Sequence, residues 1–336
     1  MNKNKFWLSI GALFILIACT YLYTSGQYIN VYHALKSMNK WWLFTAMSLI
    51  LVYWLIETKI LHLLINELYK KKRFKDALKV SMIGQFFSGI TPFATGGQPA
   101  QLVLLSKLKV PVGMGSSMLM SKFVIYQGIL VLYAAILLIL KANLFLTNIN
   151  NLFSLVFIGF GVNLVVISAL VFISVSKNIN KKVSNKIIKI LYKIKLIKNV
   201  DMVQLKIAKN IEEFHQQVAI LSGHKLLVIK MILLTFFQLT CYFLVPYCLY
   251  RGFGLTGVSI VDIIAATAFV LMVTSFIPMP GGSGGAEGGF YIIFGMFFIG
   301  KYIVPAILVW RIITYYMWMV IGGVWMLSAN VNYARS

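Results

Sequence analysis

The sequence predicts an all-α polytopic membrane protein, and three observations support this fold class. Hydrophobic residues make up 60% of the 336-residue chain and charged residues only 12%, whereas about one quarter of the residues in a soluble domain are charged. The apolar residues form runs of about 20, the length that crosses a hydrocarbon core of about 30 Å. Lys and Arg collect in the loops between these runs, as the positive-inside rule describes. We therefore expect a single integral membrane domain over 1–336.

On this interpretation, the net charge of +23 reflects the basic loops that set the orientation of the protein in the membrane. The basic residues orient the spans, so we expect no nucleic-acid partner. The basic loop that begins at Lys70 and the basic segment 177–225 are both expected on the cytoplasmic side, together with the amino and carboxyl termini.

About six full spans are predicted, and they follow in chain order at 6–25, 41–65, 115–140, 152–176, 226–250 and 303–328. Two further apolar segments, 79–110 and 260–300, are interrupted near their middles by proline and glycine. Proline removes an amide donor and breaks a helix. Each segment is therefore expected to form two half-helices that enter and leave the membrane on the same side.

The two breaks read ITPFATGGQPAQ over 90–101 and FIPMPGGSGGAEGGF over 276–290. Each is followed by a cation in an apolar segment: Lys122 lies 24 positions after Gln98, and Arg311 lies 24 positions after Glu287. With the loop charges, this register predicts inverted repeats over 37–141 and 226–330, an arrangement common in transporters. Two alternatives stay open: the coincidence is accidental, or both broken segments cross fully and the sidedness after each is reversed.

The cytoplasmic linker 177–225 carries a second pattern. Over 181–198, apolar residues recur at helical spacing beside several lysines. Such a basic amphipathic helix suits an anionic membrane surface. The alternative is a solvated connector that obeys only the positive-inside rule.

Charged side chains inside the bilayer are costly and usually face a cavity, a partner or a pathway. Lys122, Glu287 and Arg311 are predicted several residues inside the apolar zone. Glu57, by contrast, lies near the end of a span, where we expect it to reach the interface, and Asp262 is expected to favour the amino terminus of a helix.

The breaks and these charges together predict a site for a phospholipid head group. Free backbone amides and a surplus cation suit a phosphate, and a carboxylate suits an ammonium group. The predicted site residues are Thr91, Thr95, Gly96, Gly97, Gln98, Lys122, Gly281, Gly282, Ser283, Glu287 and Arg311. The alternative is that Glu287 neutralises Arg311 or Lys122 in a dry ion pair and leaves the other cation uncompensated.

No motif for soluble-type catalysis is present. The sequence lacks a nucleotide-hydrolase phosphate loop, a GxSxG elbow and a His/Asp/Glu cluster at metal-ligand spacing. We expect no cofactor, no metal and no catalytic residue.

At its two breaks the chain resembles the lysylphosphatidylglycerol synthase transmembrane-region family, which is related to the flippase half of the multiple peptide resistance factor. The most specific matches are ITPFATGGQP at 90–99 and PMPGGSGGAEGG at 278–289, and the resemblance covers nearly the whole chain. Relatives often carry an arginine in the first break and end it in Gly-Glu. Here Gly97 is followed by Gln98, which puts a charged role at that position in doubt.

The resemblance implies a lipid translocase of a bacterial-type cell membrane that handles aminoacylated phosphatidylglycerol or a related lipid. Two-domain relatives make this lipid with a separate soluble acyltransferase domain, so we expect no enzymatic activity here. The alternatives are a lipid-modifying membrane enzyme, named phosphatidylglycerol lysyltransferase, a flippase for a glycolipid or polyprenyl-linked carrier, and a non-catalytic scaffold. The lipid, the direction and energy source of transport, and the oligomeric state stay open.

Overall fold

The computed structural model describes residues 28–148, 153–177, 184–186, 188, 200–274, 277–298 and 300–328. Within these ranges the regular structure is helical and no strand occurs, so the predicted all-α class is confirmed. The α-helices are α1 Tyr28–Ser37, α2 Lys40–Leu68, α3 Phe74–Ile90, α4 Gly97–Lys107, α5 Val112–Asn148, α6 Phe153–Val175, α7 Val200–Gly223, α8 Lys225–Phe243, α9 Val245–Gly252, α10 Ile260–Thr274, α11 Gly285–Phe294, α12 Gly300–Arg311 and α13 Met317–Ser328.

Four helical stretches among the described residues are long and apolar enough to cross a membrane: Lys40–Leu68, Val112–Ala142, Lys225–Gly252 and Gly300–Met326. They correspond to four of the predicted spans. The span predicted over 152–176 is helical as α6, and the span predicted over 6–25 lies outside the described residues.

The basic linker 177–225 is described mainly at its carboxyl-terminal end. The amphipathic helix predicted over 181–198 lies mostly outside the described residues. Helix α7 follows it and packs against α5, and an ion pair between Lys177 and Glu212 joins the start of the linker to α7.

Each broken segment forms a helical hairpin. In hairpin 1, α3 packs against α4, and in hairpin 2, α10 packs against α11. The longest of these four limbs has 17 residues, which is about 25 Å of helix and less than a hydrocarbon core of about 30 Å. In hairpin 1 the limbs approach closely because Gly84 faces the side chain of Gln101, and Gly97 faces Ser88.

The tips of the two hairpins begin with the same kind of turn and differ in backbone conformation at the two residues after it. Each contains a 3₁₀ turn that begins at a proline, over Pro92–Ala94 and Pro280–Gly282. The second residue of each turn is left-handed, with φ 53° at Phe93 and φ 60° at Gly281.

The side chains that close the two turns also correspond. The Thr95 hydroxyl donates to the Pro92 carbonyl at 2.9 Å, and the Ser283 hydroxyl donates to the Pro280 carbonyl at 2.8 Å. Since Gly97 and Gly285 then begin α4 and α11, Glu287 corresponds to Pro99 rather than to Gln98. The predicted register is therefore wrong by one residue at the tips, because sequence spacing to the cations ignores the turn geometry.

The two hairpins approach each other from opposite ends of the bundle. At the base of hairpin 1, Tyr69 donates to the Lys109 carbonyl at 2.7 Å, just past the carboxyl end of α2. At the amino end of α2, Asn39 N donates to the Gly252 carbonyl at 2.9 Å, beside the connection into hairpin 2. Helix α2 has 29 residues, or about 43 Å, and the two tips contact each other between these ends.

Candidate functional site: two charge clusters at the hairpin tips

The first charge cluster surrounds Lys122 of α5. Its Nζ lies 2.5 Å from Oε1 of Glu57 on α2, and the second carboxylate oxygen accepts a bond from Gln238 Nε2 of α8 at 3.1 Å. Glu57 is 7% exposed and Gln238 0%. Three helices thus place a hydrogen-bonded ion pair in the bundle interior, where an unpaired charge would be costly.

A cavity of about 580 Å³ opens onto this ion pair. Its polar lining includes Glu57, Lys122, Gln238, Thr95 and Gln98, and the tip of hairpin 1 forms one wall. Tyr53, Phe123, Tyr126 and Phe93 add aromatic surface. This size suits a small polar group, such as a lipid head group, better than a whole phospholipid.

Strained backbone marks the hairpin 1 side of the cavity. Phe93 and Ala94 adopt φ values of 53° and 55°, a region that non-glycine residues rarely occupy. Phe93 is 54% exposed, so no burial of its ring explains the conformation. Such strain often accompanies functional positions.

The second charge cluster surrounds Arg311 at the end of α12. Its Nε donates to Glu287 Oε1 at 2.6 Å, and its Nη2 donates to the Gly281 carbonyl at 3.1 Å and the Ser283 hydroxyl at 3.2 Å. The other Glu287 oxygen accepts from Gly284 N at 2.7 Å. Arg311 is 5% exposed. The guanidinium is therefore committed to fixing the tip of hairpin 2.

Tyr315 connects this second cluster to hairpin 1. The Arg311 guanidinium lies 4.4 Å from the centre of the Tyr315 ring, and the Tyr315 hydroxyl donates to the Gly89 carbonyl of α3 at 2.8 Å. Tyr315 belongs to a π-helical segment, Ile312–Tyr316, of a kind that recurs at functional sites. Tyr315 thus contacts both the Arg311 cluster and hairpin 1.

The predicted site residues divide between these two places. Four of them line the cavity: Thr95, Gly97, Gln98 and Lys122. Five build the Arg311 cluster or its turn: Gly281, Gly282, Ser283, Glu287 and Arg311. The remaining two shape the tip of hairpin 1, because the Thr91 hydroxyl accepts from Gly96 N at 2.8 Å and donates to the Phe87 carbonyl.

Glu57 and Gln238, which join Lys122 in the first charge cluster, escaped the sequence prediction. Glu57 was expected at the interface, and the structure instead buries it against Lys122. Gln238 was not considered. The sequence did carry one signal for them, because both are polar residues inside long apolar helices, where polar groups tend to be functional. It carried none for the pairing, because Lys122 and Glu57 are 65 positions apart.

Asp262 has a partner that the sequence did not indicate. It lies 2.8 Å from Lys141 Nζ, at the point where α5 departs from helical geometry with φ −124° at Lys141. This third ion pair joins α5 to the first limb of hairpin 2, away from the cavity lining.

Among the described residues, no group of three or more His, Cys, Asp or Glu side chains is placed to hold a metal ion. The arrangement as a whole defines a polytopic all-α membrane protein in which two helical hairpins meet tip to tip beside a polar cavity.

Comparison with known proteins identifies the family. Residues 7–322 match the family described as the lysylphosphatidylglycerol synthase TM region, so the chain belongs to this family and the predicted resemblance is confirmed. A relative from Archaeoglobus fulgidus, named as a UPF0104 membrane protein, is 23% identical over 333 residues, which cover 97% of this chain and 96% of the relative.

Proposed function

We propose that this protein is a lipid translocase that moves a phosphate-bearing lipid across the membrane and binds its head group in the cavity beside Lys122 and Glu57. The observation that carries the proposal is the cavity itself, which places an ion pair and several uncharged polar groups inside an apolar bundle. Polar surface of this kind inside a membrane protein usually serves a substrate pathway.

The chemistry of the cavity suits a zwitterionic or aminoacylated head group. The Lys122 ammonium offers hydrogen bonds to a phosphate, and the Glu57 carboxylate offers them to an ammonium group. Gln98 and Thr95 add uncharged donors and acceptors at the tip of hairpin 1. The name of the family points to the same lipid class, lysylphosphatidylglycerol. We therefore favour aminoacylated phosphatidylglycerol, or a related anionic or zwitterionic lipid, as substrate.

The architecture supports transport through inverted repeats. Two hairpins with similar turns at their tips approach from opposite ends of α2, and transporters of this kind bind substrate near the midplane, where helices are broken. In our proposal the repeats are 37–141 and 226–330. The membrane is the cell membrane, both termini are cytoplasmic, and the basic stretch 181–198 contacts its anionic surface.

A liposome assay tests the proposal. Purified protein is reconstituted, and transfer of fluorescent phosphatidylglycerol and of lysylphosphatidylglycerol between leaflets is measured. The paired variant Glu57→Gln with Lys122→Gln removes both charges without leaving either one unpaired, and we expect transfer to fall at least tenfold. The matched control is Lys141→Gln with Asp262→Asn, which removes an ion pair outside the cavity. Equal transfer by both paired variants would reject the assignment of the site.

The alternative function is lipid modification, because the family description contains the word synthase. Incubation of the purified protein with phosphatidylglycerol and lysyl-tRNA, followed by lipid mass spectrometry, separates the two activities. We expect no aminoacyl lipid. Its formation by this chain alone would favour the enzyme.

A further inference from the structure

We propose that Glu57 takes up one proton when an anionic head group without an ammonium, such as that of phosphatidylglycerol, binds Lys122, so that the protein moves this lipid together with a proton. This inference rests on the proposed function and adds to it the energy source for the same cavity. It is carried by the geometry of Glu57, Lys122 and Gln238.

Lys122 already has the Glu57 carboxylate as its counter-ion. Its ammonium lies 2.5 Å from the Glu57 carboxylate, and the Lys122 and Glu57 side chains are only 12% and 9% exposed. An entering phosphate therefore competes with the carboxylate for the same cation. When the phosphate displaces Glu57, a buried carboxylate loses its counter-ion, and an uncompensated buried charge is strongly unfavourable. Uptake of a proton removes that charge.

Gln238 is placed to stabilise both protonation states of Glu57. At present its Nε2 donates to Glu57 Oε2 at 3.1 Å, as an ionised carboxylate requires. Its Oε1 is buried and has no hydrogen-bond partner in the part of the chain that the structure describes. Rotation of the amide turns that free acceptor toward Glu57, where the hydroxyl of the protonated carboxyl donates to it.

Among the residues that the structure describes, no other group near Glu57 is suited to take this proton. Tyr53 and Tyr126 are the titratable neighbours from α2 and α5 besides Lys122, and Tyr242 of α8 packs beside Tyr53. Phenols already carry their protons at neutral pH. The Lys122 ammonium is the group that binds the phosphate. Glu57 is therefore the group whose charge changes.

The charges balance in this step. A singly charged phosphate diester brings one negative charge, and the proton that joins Glu57 brings one positive charge. The cavity has the same net charge before and after binding. A head group then enters with its proton from one leaflet, and both leave to the other side when the Glu57–Lys122 bond forms again.

Calorimetry on the full-length protein in detergent tests the inference, with dioctanoyl phosphatidylglycerol as the probe. Titration in two buffers of different protonation enthalpy gives the number of protons taken up per lipid bound. For the native protein above neutral pH we expect about one proton, and a dissociation constant that rises about tenfold per pH unit. In Glu57→Gln we expect binding without proton uptake and without this pH dependence.

Asp262→Asn is the matched control, because it neutralises a carboxylate that pairs with Lys141 outside the cavity. It should take up the same proton as the native protein. Binding by the native protein without proton uptake, or with uptake unchanged in Glu57→Gln, overturns the inference and leaves the proposed function standing. Absence of any binding by the native protein overturns both.

Discussion

Arg311 and Lys122 obtain their counter-ions from different distances along the chain. Arg311 is paired with a carboxylate 24 positions away, within the same hairpin region, whereas Lys122 is paired with one 65 positions away on α2. Arg311 also donates hydrogen bonds to the turn of hairpin 2, whereas the Lys122–Glu57 pair lines a cavity. Similar charges thus have different surroundings: Arg311 is bonded to a hairpin tip, and Lys122 lies at the wall of a cavity.

The structural role of the Arg311 pair predicts a large loss of stability in Glu287→Gln. The change leaves a guanidinium that is 5% exposed without its carboxylate, and we expect a loss of about 3 kcal/mol in the free energy of unfolding. Chemical denaturation in detergent measures it. The control is Asp76→Asn, which breaks a pair whose Arg73 side chain is 85% exposed and should change stability by less than about 1 kcal/mol. Equal effects would contradict the assigned role.

At the scale of the helical elements, the two hairpin tips contain similar turns but are built from different residues. The positions with positive φ are Gly281, Gly282 and Gly284 in hairpin 2, and Phe93 and Ala94 in hairpin 1. Glycine adopts this conformation without strain, while a side chain raises its energy by about 1–2 kcal/mol. Strain is therefore concentrated in the hairpin that lines the cavity.

This difference predicts opposite effects of reciprocal substitutions. Ala94→Gly should stabilise the protein by about 0.5–1 kcal/mol, since the strain relieved exceeds the added freedom of the unfolded chain. Gly282→Ala should destabilise it, because its new Cβ also lies 3.3 Å from the Thr274 carbonyl. Thermal unfolding of both variants in the same detergent measures the two effects. A shift of the same sign in both would contradict this assignment of strain.

For the whole molecule, the important feature is that the hairpins enter from opposite ends of α2. The end of α2 near Tyr69 adjoins the base of hairpin 1, and the end near Asn39 adjoins the base of hairpin 2. With the sidedness that we propose from the basic loops, we expect hairpin 1 to be accessible from the cytoplasm and hairpin 2 from the outside.

Cysteine labelling measures this arrangement. Lys71 and Thr256 are exposed residues near the bases of hairpin 1 and hairpin 2, respectively. In a background with Cys19→Ser, where Cys241 and Cys248 are buried, a membrane-impermeant maleimide should label Thr256→Cys in intact cells. Lys71→Cys should react only after permeabilisation. Labelling of both from the same side would contradict entry from opposite faces.

The sequence by itself determined the class, most of the spans and the existence of both breaks, because apolar run length, proline and loop charge act locally. It also indicated Lys122, Glu287 and Arg311 as unusual, since a charge inside an apolar run is visible without a fold. It placed Glu57 at the interface and set the register of the breaks one residue off, because it offered no measure of helix depth or turn geometry.

Only the tertiary structure decided which charges meet. The Lys122–Glu57 bond joins α5 to α2, and Gln238 reaches the same carboxylate from α8; no spacing along the chain encodes a contact between three helices. In the same packing, the residues predicted to form one site lie in two places: some line the cavity, and others surround the Arg311–Glu287 ion pair. The physical reason is that burying a charge requires a partner in space, and the fold supplies that partner from wherever its helices cross.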